Sequence, residues 1–122
     1  MYYAIIGLIV IVLIIIKMSN KSSSSVKHLN SDEFKSNMSE GTILDVRTKR
    51  EYKTGHLNNS ICIPTNVLSD NLNKLDLSKP VFVYCASGAR SSSVAGYLLK
   101  NGYEVYNLRG GINRWTGKVT KK

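Results

Sequence analysis

The chain has only two cysteines and two histidines among its 122 residues. Cys62 and Cys85 are too few for a disulfide framework, and no Cys/His spacing matches a zinc site, so no metal is expected. The thiols are expected to stay reduced. No Walker loop or dinucleotide fingerprint occurs; the glycine pairs read as turns, and no cofactor is expected. Internal repeats are absent. Acidic residues are also scarce, with 8 Asp and Glu against 17 Lys and Arg, a net charge of +9. Such a balance points to nucleic acid when cations and aromatics cluster on one element. Here the cations are spread along the chain. That fits a solvated basic face beside an anionic membrane, and no nucleic-acid partner is expected.

The run Met1 to Ile16 has no charge at all, and Ile5 to Ile16 is almost entirely Ile, Leu and Val. Nothing basic precedes it and no small-residue cleavage pattern follows, so it does not read as a secretory leader. It has no polar face, as a buried core helix normally would. As a helix it spans about 24 Å, a little short of a hydrocarbon core. Tyr2 and Tyr3 suit one interface and Lys17 the other. Residues 1–17 are therefore expected to be a transmembrane anchor. Lys17, Lys21 and Lys27 follow the span and no cation precedes it, which places the following domain in the cytoplasm. Residues 18–25, rich in serine, read as a flexible linker with a reach on the order of 15 Å. Residues 26–122 remain, enough for one domain with an adequate core.

Within that domain short apolar runs alternate with helical patterns. Val26 to Leu29 reads as a first strand. Asn30 with Glu33 forms a capping box for a helix to about Ser39, and Thr48 with Glu51 forms another for a short helix stopped at Gly55. Strands are expected at Thr42–Arg47, Ser60–Ile63, Val81–Tyr84 and Tyr103–Leu108. Pro64 closes the second of these, and Lys79-Pro80 breaks the chain before the third. Helices are expected at Asn66–Leu75, with Val67, Leu68, Leu72 and Leu75 on one side, and at Ser91–Asn101, closed by Gly102. After Gly110-Gly111 a last helix is expected to carry Ile112 and Trp115. Strands alternating with helices imply an α/β domain around a mostly parallel sheet.

Cys85 falls where a buried strand ends and a helix begins, the place where open α/β sheets put ligands. Ala86, Ser87, Gly88 and Ala89 are small enough for the backbone to curl into an anion nest. The helix start near Ser91 adds its positive dipole end, and Arg90 adds a charge. Each favours thiolate over thiol. Cysteine is also a common core residue, but a nest leading into a helix is more than burial requires. Cys62 lies in an apolar strand and reads as core; His56, after Gly55, reads as fixing a turn. Tyr103 and Trp115 read as core or edge residues.

Several motifs now stand in order: Asp45-Val46-Arg47, Glu51-Tyr52, Gly55-His56-Leu57, Ile63-Pro64, Tyr84-Cys85-Ala86-Ser87-Gly88-Ala89-Arg90-Ser91, and Gly110-Gly111 with Trp115. Together, over about Val26 to Trp115, the sequence resembles the rhodanese-like, single-domain sulfurtransferases. The resemblance implies a five-stranded, mostly parallel sheet flanked by helices. It implies that Cys85 takes sulfane sulfur from a small anionic donor such as thiosulfate, becomes a persulfide, and passes the sulfur to a thiol, cyanide or acceptor protein. Ala86 to Ser91 would bind the substrate, Asp45 would organise neighbouring loops, and Arg47 would contribute to the anionic entrance. Asn59-Ser60 departs from the Gly-Ala that the family often has there, which bears on local geometry.

Two other functions fit parts of this pattern. Cysteine phosphatases on the same fold use Cys-x5-Arg, whereas Cys85 to Arg90 is Cys-x4-Arg, a loop one residue shorter that suits sulfur better than a phosphoryl group. Domains of this fold also serve as non-catalytic binding or regulatory modules, but those commonly lack the nucleophile that this chain keeps.

Overall fold

The computed structural model describes residues 4–7 and 25–122. Five strands, β1 (Lys27–Leu29), β2 (Thr42–Asp45), β3 (Ile61–Cys62), β4 (Val81–Tyr84) and β5 (Val105–Leu108), form one sheet in the order β1-β5-β4-β2-β3. Every neighbouring pair in it is parallel. Three α-helices accompany it: α1 (Ser31–Asn37), α2 (Lys49–Lys53) and α3 (Ala89–Lys100).

Alternation along the strands divides the core in two, because successive side chains leave a strand on opposite faces. Leu44, Val81, Val83, Cys85 and Val105 face Val94, Ala95 and Leu98 of α3. Ile43, Phe82, Tyr84 and Leu108 face Phe34 of α1 and Leu57. A sheet covered on both sides explains why Val81–Tyr84 is apolar at every position: all four residues are buried. Phe34 packs edge-on against both Phe82 and Trp115, with ring centroids 5.5 and 6.0 Å away.

Both expected capping boxes are present. Asn30 accepts from the Glu33 N–H at 2.9 Å, and Thr48 from the Glu51 N–H at 3.1 Å. α3 ends as its glycine implies: Gly102, at φ +91°, donates to the Leu99 carbonyl, and Tyr103 donates to that of Leu98.

Three expectations change. The helix expected over Asn66–Leu75 is two 3-10 segments, Thr65–Val67 and Ser69–Lys74, with Asn71 off helical geometry. Leu68 and Leu75 are buried while Val67 is exposed, so the apolar stripe is narrower than a full helix would need. The last expected helix is a single 3-10 turn, Ile112–Arg114. α3 starts at Ala89 and not at Ser91, which matters for the site. The expected membrane span covers residues that lie largely outside the described ones. Among the described residues no helix is long and apolar enough to cross a membrane. Residues 4–7 are helical and exposed.

Candidate active site

The chain from Cys85 to Ser91 turns from strand to helix by way of Gly88, whose φ of +104° suits glycine. Gly88 is also the N-cap of α3, and glycine has no side chain with which to satisfy the first helical N–H groups. The sulfur of Cys85 takes that place. It accepts from the Ser91 N–H, the third of the helix, at 3.3 Å and from the Gly88 N–H at 3.1 Å. The earlier helix start is what aims the Ser91 N–H at sulfur. Ser91 also carries a hydroxyl with two acceptors in reach, the Gly88 carbonyl at 3.3 Å and the sulfur. Its one proton favours the ionised acceptor.

Burial works against ionising Cys85, whose side chain is fully enclosed. Hydrogen bonds from the Ser91 hydroxyl and from the N–H groups of Ser91, Gly88 and Ser87 outweigh it, and the thiol sits below its ordinary pKa. Cys62 goes the other way: burial and the Asp45 charge raise it. It is half-buried, with its sulfur 3.6 Å from the Arg47 carbonyl. The two cysteines are separated in the sheet. Cys62 pairs with Asp45, and Asp45 with Tyr84, the residue before Cys85. Two strand spacings come to about 10 Å, beyond the reach of a disulfide.

The arginines sit differently from the sequence expectation. Arg47, expected at the anionic entrance, is buried, and its guanidinium grips both Asp45 oxygens at 2.7 to 3.1 Å. It also donates to the Gly55 carbonyl at 2.7 Å and lies 5.7 Å from the centre of the Tyr84 ring. Asp45 and Arg47 thus hold each other, and through Arg47 the Gly55 turn. Tyr84 in turn accepts from the Leu57 N–H at 3.1 Å, tying the strand before Cys85 to the His56 turn. His56 fixes that turn: its Nδ1 is 2.8 Å from the Tyr52 carbonyl and its ring stacks on Tyr52 at 3.6 Å.

Arg90, expected to add charge to the cradle, is held by both oxygens of Glu51 at 2.7 and 2.9 Å. The Arg90 hydrogen bonds hold the Glu51 carboxyl down at about 2 against some opposition from burial, with the Thr48 N–H helping. Glu51 was legible only as a cap; its second role spans 39 residues and needed the fold. A further contribution came from the Gly110-Gly111 turn. A Cβ on Gly111 would lie 2.6 Å from the Cys85 carbonyl oxygen. That closeness lets Ile112 and Asn113 donate N–H to the Cys85 and Ala86 carbonyls at 2.9 and 3.0 Å.

Asn59 occupies a left-handed position at φ +66°, which asparagine tolerates better than most residues. Ser60 donates to the Leu57 carbonyl at 2.6 Å, and its own carbonyl accepts from the Tyr52 hydroxyl. The Gly-Ala departure therefore leaves a well-bonded turn. A cavity of about 220 Å³ beside α3, lined by Thr65, Leu68, Ser69, Ser93, Val94 and Tyr97, does not include Cys85. No cluster that could hold a metal occurs among the described residues.

An ionisable thiol held by helix N–H groups at the carboxyl end of a parallel sheet defines an α/β domain equipped for cysteine nucleophile chemistry. Comparison with known proteins identifies which one. The rhodanese-like domain model matches residues 30–118, and the chain belongs to that family. The uncharacterized protein YqhL of Bacillus subtilis is 37% identical over 98 residues, 80% of this chain and 78% of that protein. Thiosulfate sulfurtransferase GlpE of Coxiella burnetii is 40% identical over 74 residues, 60% of this chain and 69% of that protein. A crystal structure of a rhodanese-related protein from Thermoplasma volcanium matches with a TM-score of 0.75 at 30% identity, covering 79% of this chain and 99% of that one. These relatives place the chain in a sulfur-transfer family.

Proposed function

We propose that the protein is a sulfurtransferase that carries sulfane sulfur on Cys85. The observation that carries the reading is the pair of N–H groups, from Gly88 and Ser91, aimed at the sulfur from 3.1 and 3.3 Å. The thiolate attacks the terminal sulfur of a small anionic donor such as thiosulfate. The donor's S–S bond breaks, its electron pair leaves with sulfite, and Cys85 becomes a persulfide. An incoming thiol, cyanide or protein thiolate then takes the outer sulfur and regenerates the Cys85 thiolate. The acceptor comes from outside the chain, because Cys62 is out of reach.

Ala86 to Ala89 form the cradle, with the Ser87 and Gly88 N–H groups turned to the sulfur, and Ser91 stabilises the negative sulfur before and after transfer. Arg90 and Glu51 brace the loop, while Asp45 and Arg47 brace the strand ends beneath it. In a cysteine phosphatase the arginine of the loop would bind phosphoryl oxygens. Here Arg90 is occupied by Glu51, in keeping with a loop one residue shorter.

The same proposal places the domain at a membrane. Its support is the uncharged run Met1–Ile16 followed by Lys17, Lys21 and Lys27, with residues 1–17 as the anchor, 18–25 as the linker and 26–122 facing the cytoplasm. Mass spectrometry of the full chain after thiosulfate treatment tests the chemistry. One added sulfur, absent from Cys85→Ser, is the expected result. No added sulfur would turn the reading to a binding module, and phosphate-ester turnover without sulfur uptake would turn it to a phosphatase. Recovery in the membrane fraction, lost when residues 1–17 are removed, tests the anchor.

A further inference from the structure

The sulfur cradle is built from dipoles, and among the described residues that form it no cation is left unpaired. Ala86, Ser87, Gly88 and Ala89 are uncharged, Arg47 is buried against Asp45, and Arg90 is held by Glu51. A dianionic donor must nevertheless bring two negative charges up to a nucleophile that is itself negative. The field of a helix end fades within a turn. A second full charge calls for a full cation nearby.

The turn after β5 brings one. Ile112 and Asn113 are bonded to the Cys85 and Ala86 carbonyls. The aliphatic stem of the next residue, Arg114, folds over Gly110, where a Cβ would lie 2.6 Å from Arg114 Cδ. Gly110 stands against Gly88 in turn: its nitrogen is 3.4 Å from where a Gly88 Cβ would be. Gly88 donates to the sulfur. This chain of contacts sets the Arg114 side chain on the order of 10 Å from the cradle, about one Debye length at 0.1 M salt. Arg114 is exposed, and neither ion pair among the described residues uses it.

We propose that Arg114 is the specificity-determining residue that reads the charge of the sulfur donor, favouring a small dianion over a monoanion of the same shape. The proposal rests on the persulfide reading. Coulomb energy is proportional to the donor's charge, so the arginine helps a dianion twice as much, on a logarithmic scale, as a monoanion. Thiosulfate and methanethiosulfonate make a matched pair. Each offers a terminal sulfane sulfur on a tetrahedral sulfur, with charges of two and one. In each the Cys85 thiolate bonds to the terminal sulfur and the S–S bond breaks. The electron pair leaves with sulfite or with methanesulfinate, and no external oxidant or reductant takes part.

The test uses the full chain with cyanide as acceptor and thiocyanate as the readout. Arg114→Gln keeps three carbons over Gly110 and removes the guanidinium with its charge. At ~10 Å through water and at low ionic strength, where screening is slight, the expected loss in kcat/KM is about four-fold for thiosulfate and about two-fold for methanethiosulfonate. It should reside in KM, be restored by Arg114→Lys, and vanish near 1 M salt, where the Debye length is about 3 Å. Equal losses for the two donors, no loss, or a loss confined to kcat would overturn the assignment while leaving the sulfurtransferase standing. A wild type that turns over neither donor would remove the persulfide reading and this inference together.

Discussion

Replacing Gly111 by alanine should cripple the site from beneath. Gly111 has φ +62° and ψ −165°, a region almost exclusive to glycine, and occupying it with alanine costs about 1–3 kcal/mol. The added Cβ would also lie 2.6 Å from the Cys85 carbonyl oxygen, far inside contact distance. Overpacking of this kind adds about 1–3 kcal/mol. Because the atoms met are backbone atoms of Cys85 and Ala86, no side chain can swing away to relieve the clash. The chain must move, and that breaks the bonds from Ile112 and Asn113 to the loop. The variant should lose roughly 2–6 kcal/mol, or on the order of 10–40 °C in Tm for a domain of this size. Sulfur loading of Cys85 should fall with it. Gly96→Ala supplies the control, since nothing lies within 4 Å of a Cβ there and the residue sits inside α3. Alanine in a helix interior should add about 0.5–1 kcal/mol and leave loading intact. Urea unfolding followed by circular dichroism, with mass spectrometry of loaded protein, measures both. A Gly111→Ala protein within about 0.5 kcal/mol of wild type would refute the close-packing argument.

Asp45→Ala should strand the Arg47 guanidinium without its carboxylate in a buried site, costing about 3–5 kcal/mol; urea midpoints check this. The Glu51–Arg90 pair should make stability depend on acid. With the carboxyl depressed to about 2 from its ordinary 4.5, its contribution is complete above about 4.5 and is lost as pH falls toward about 2. Since both side chains are roughly a third exposed, the loss should be no more than about 1 kcal/mol, and it should be absent in Glu51→Gln when midpoints at the two pH values are compared. Cys62→Ser should leave sulfur loading at the wild-type level. Mild oxidation of the wild type should give no Cys62–Cys85 crosslink in non-reducing peptide maps, since the two strands are about 10 Å apart.

The sequence by itself determined the α/β alternation, the two capping boxes, the glycine end of α3, and the place of Cys85 at a strand-to-helix junction. Each is written in neighbouring residues: Asn30 with Glu33, Thr48 with Glu51, four apolar residues in Val81–Tyr84, small residues after Cys85. Local spacing is enough because hydrogen bonds within a turn or one strand's burial depend on residues a few positions apart. The helix expected over Asn66–Leu75 failed for the complementary reason, since Leu68, Leu72 and Leu75 pack against α3 and the sheet from short 3-10 turns. The partners of the charges were decided by tertiary structure alone. Nothing local says that Arg90 will reach Glu51 or that Arg47 will turn inward to Asp45. Nor could the chain order show that Gly110, Gly111 and Arg114 stand under the Cys85 loop. A charge takes the nearest opposite charge or dipole in space, and only the parallel sheet, by gathering the ends of β2, β4 and β5 on one edge, made these residues neighbours.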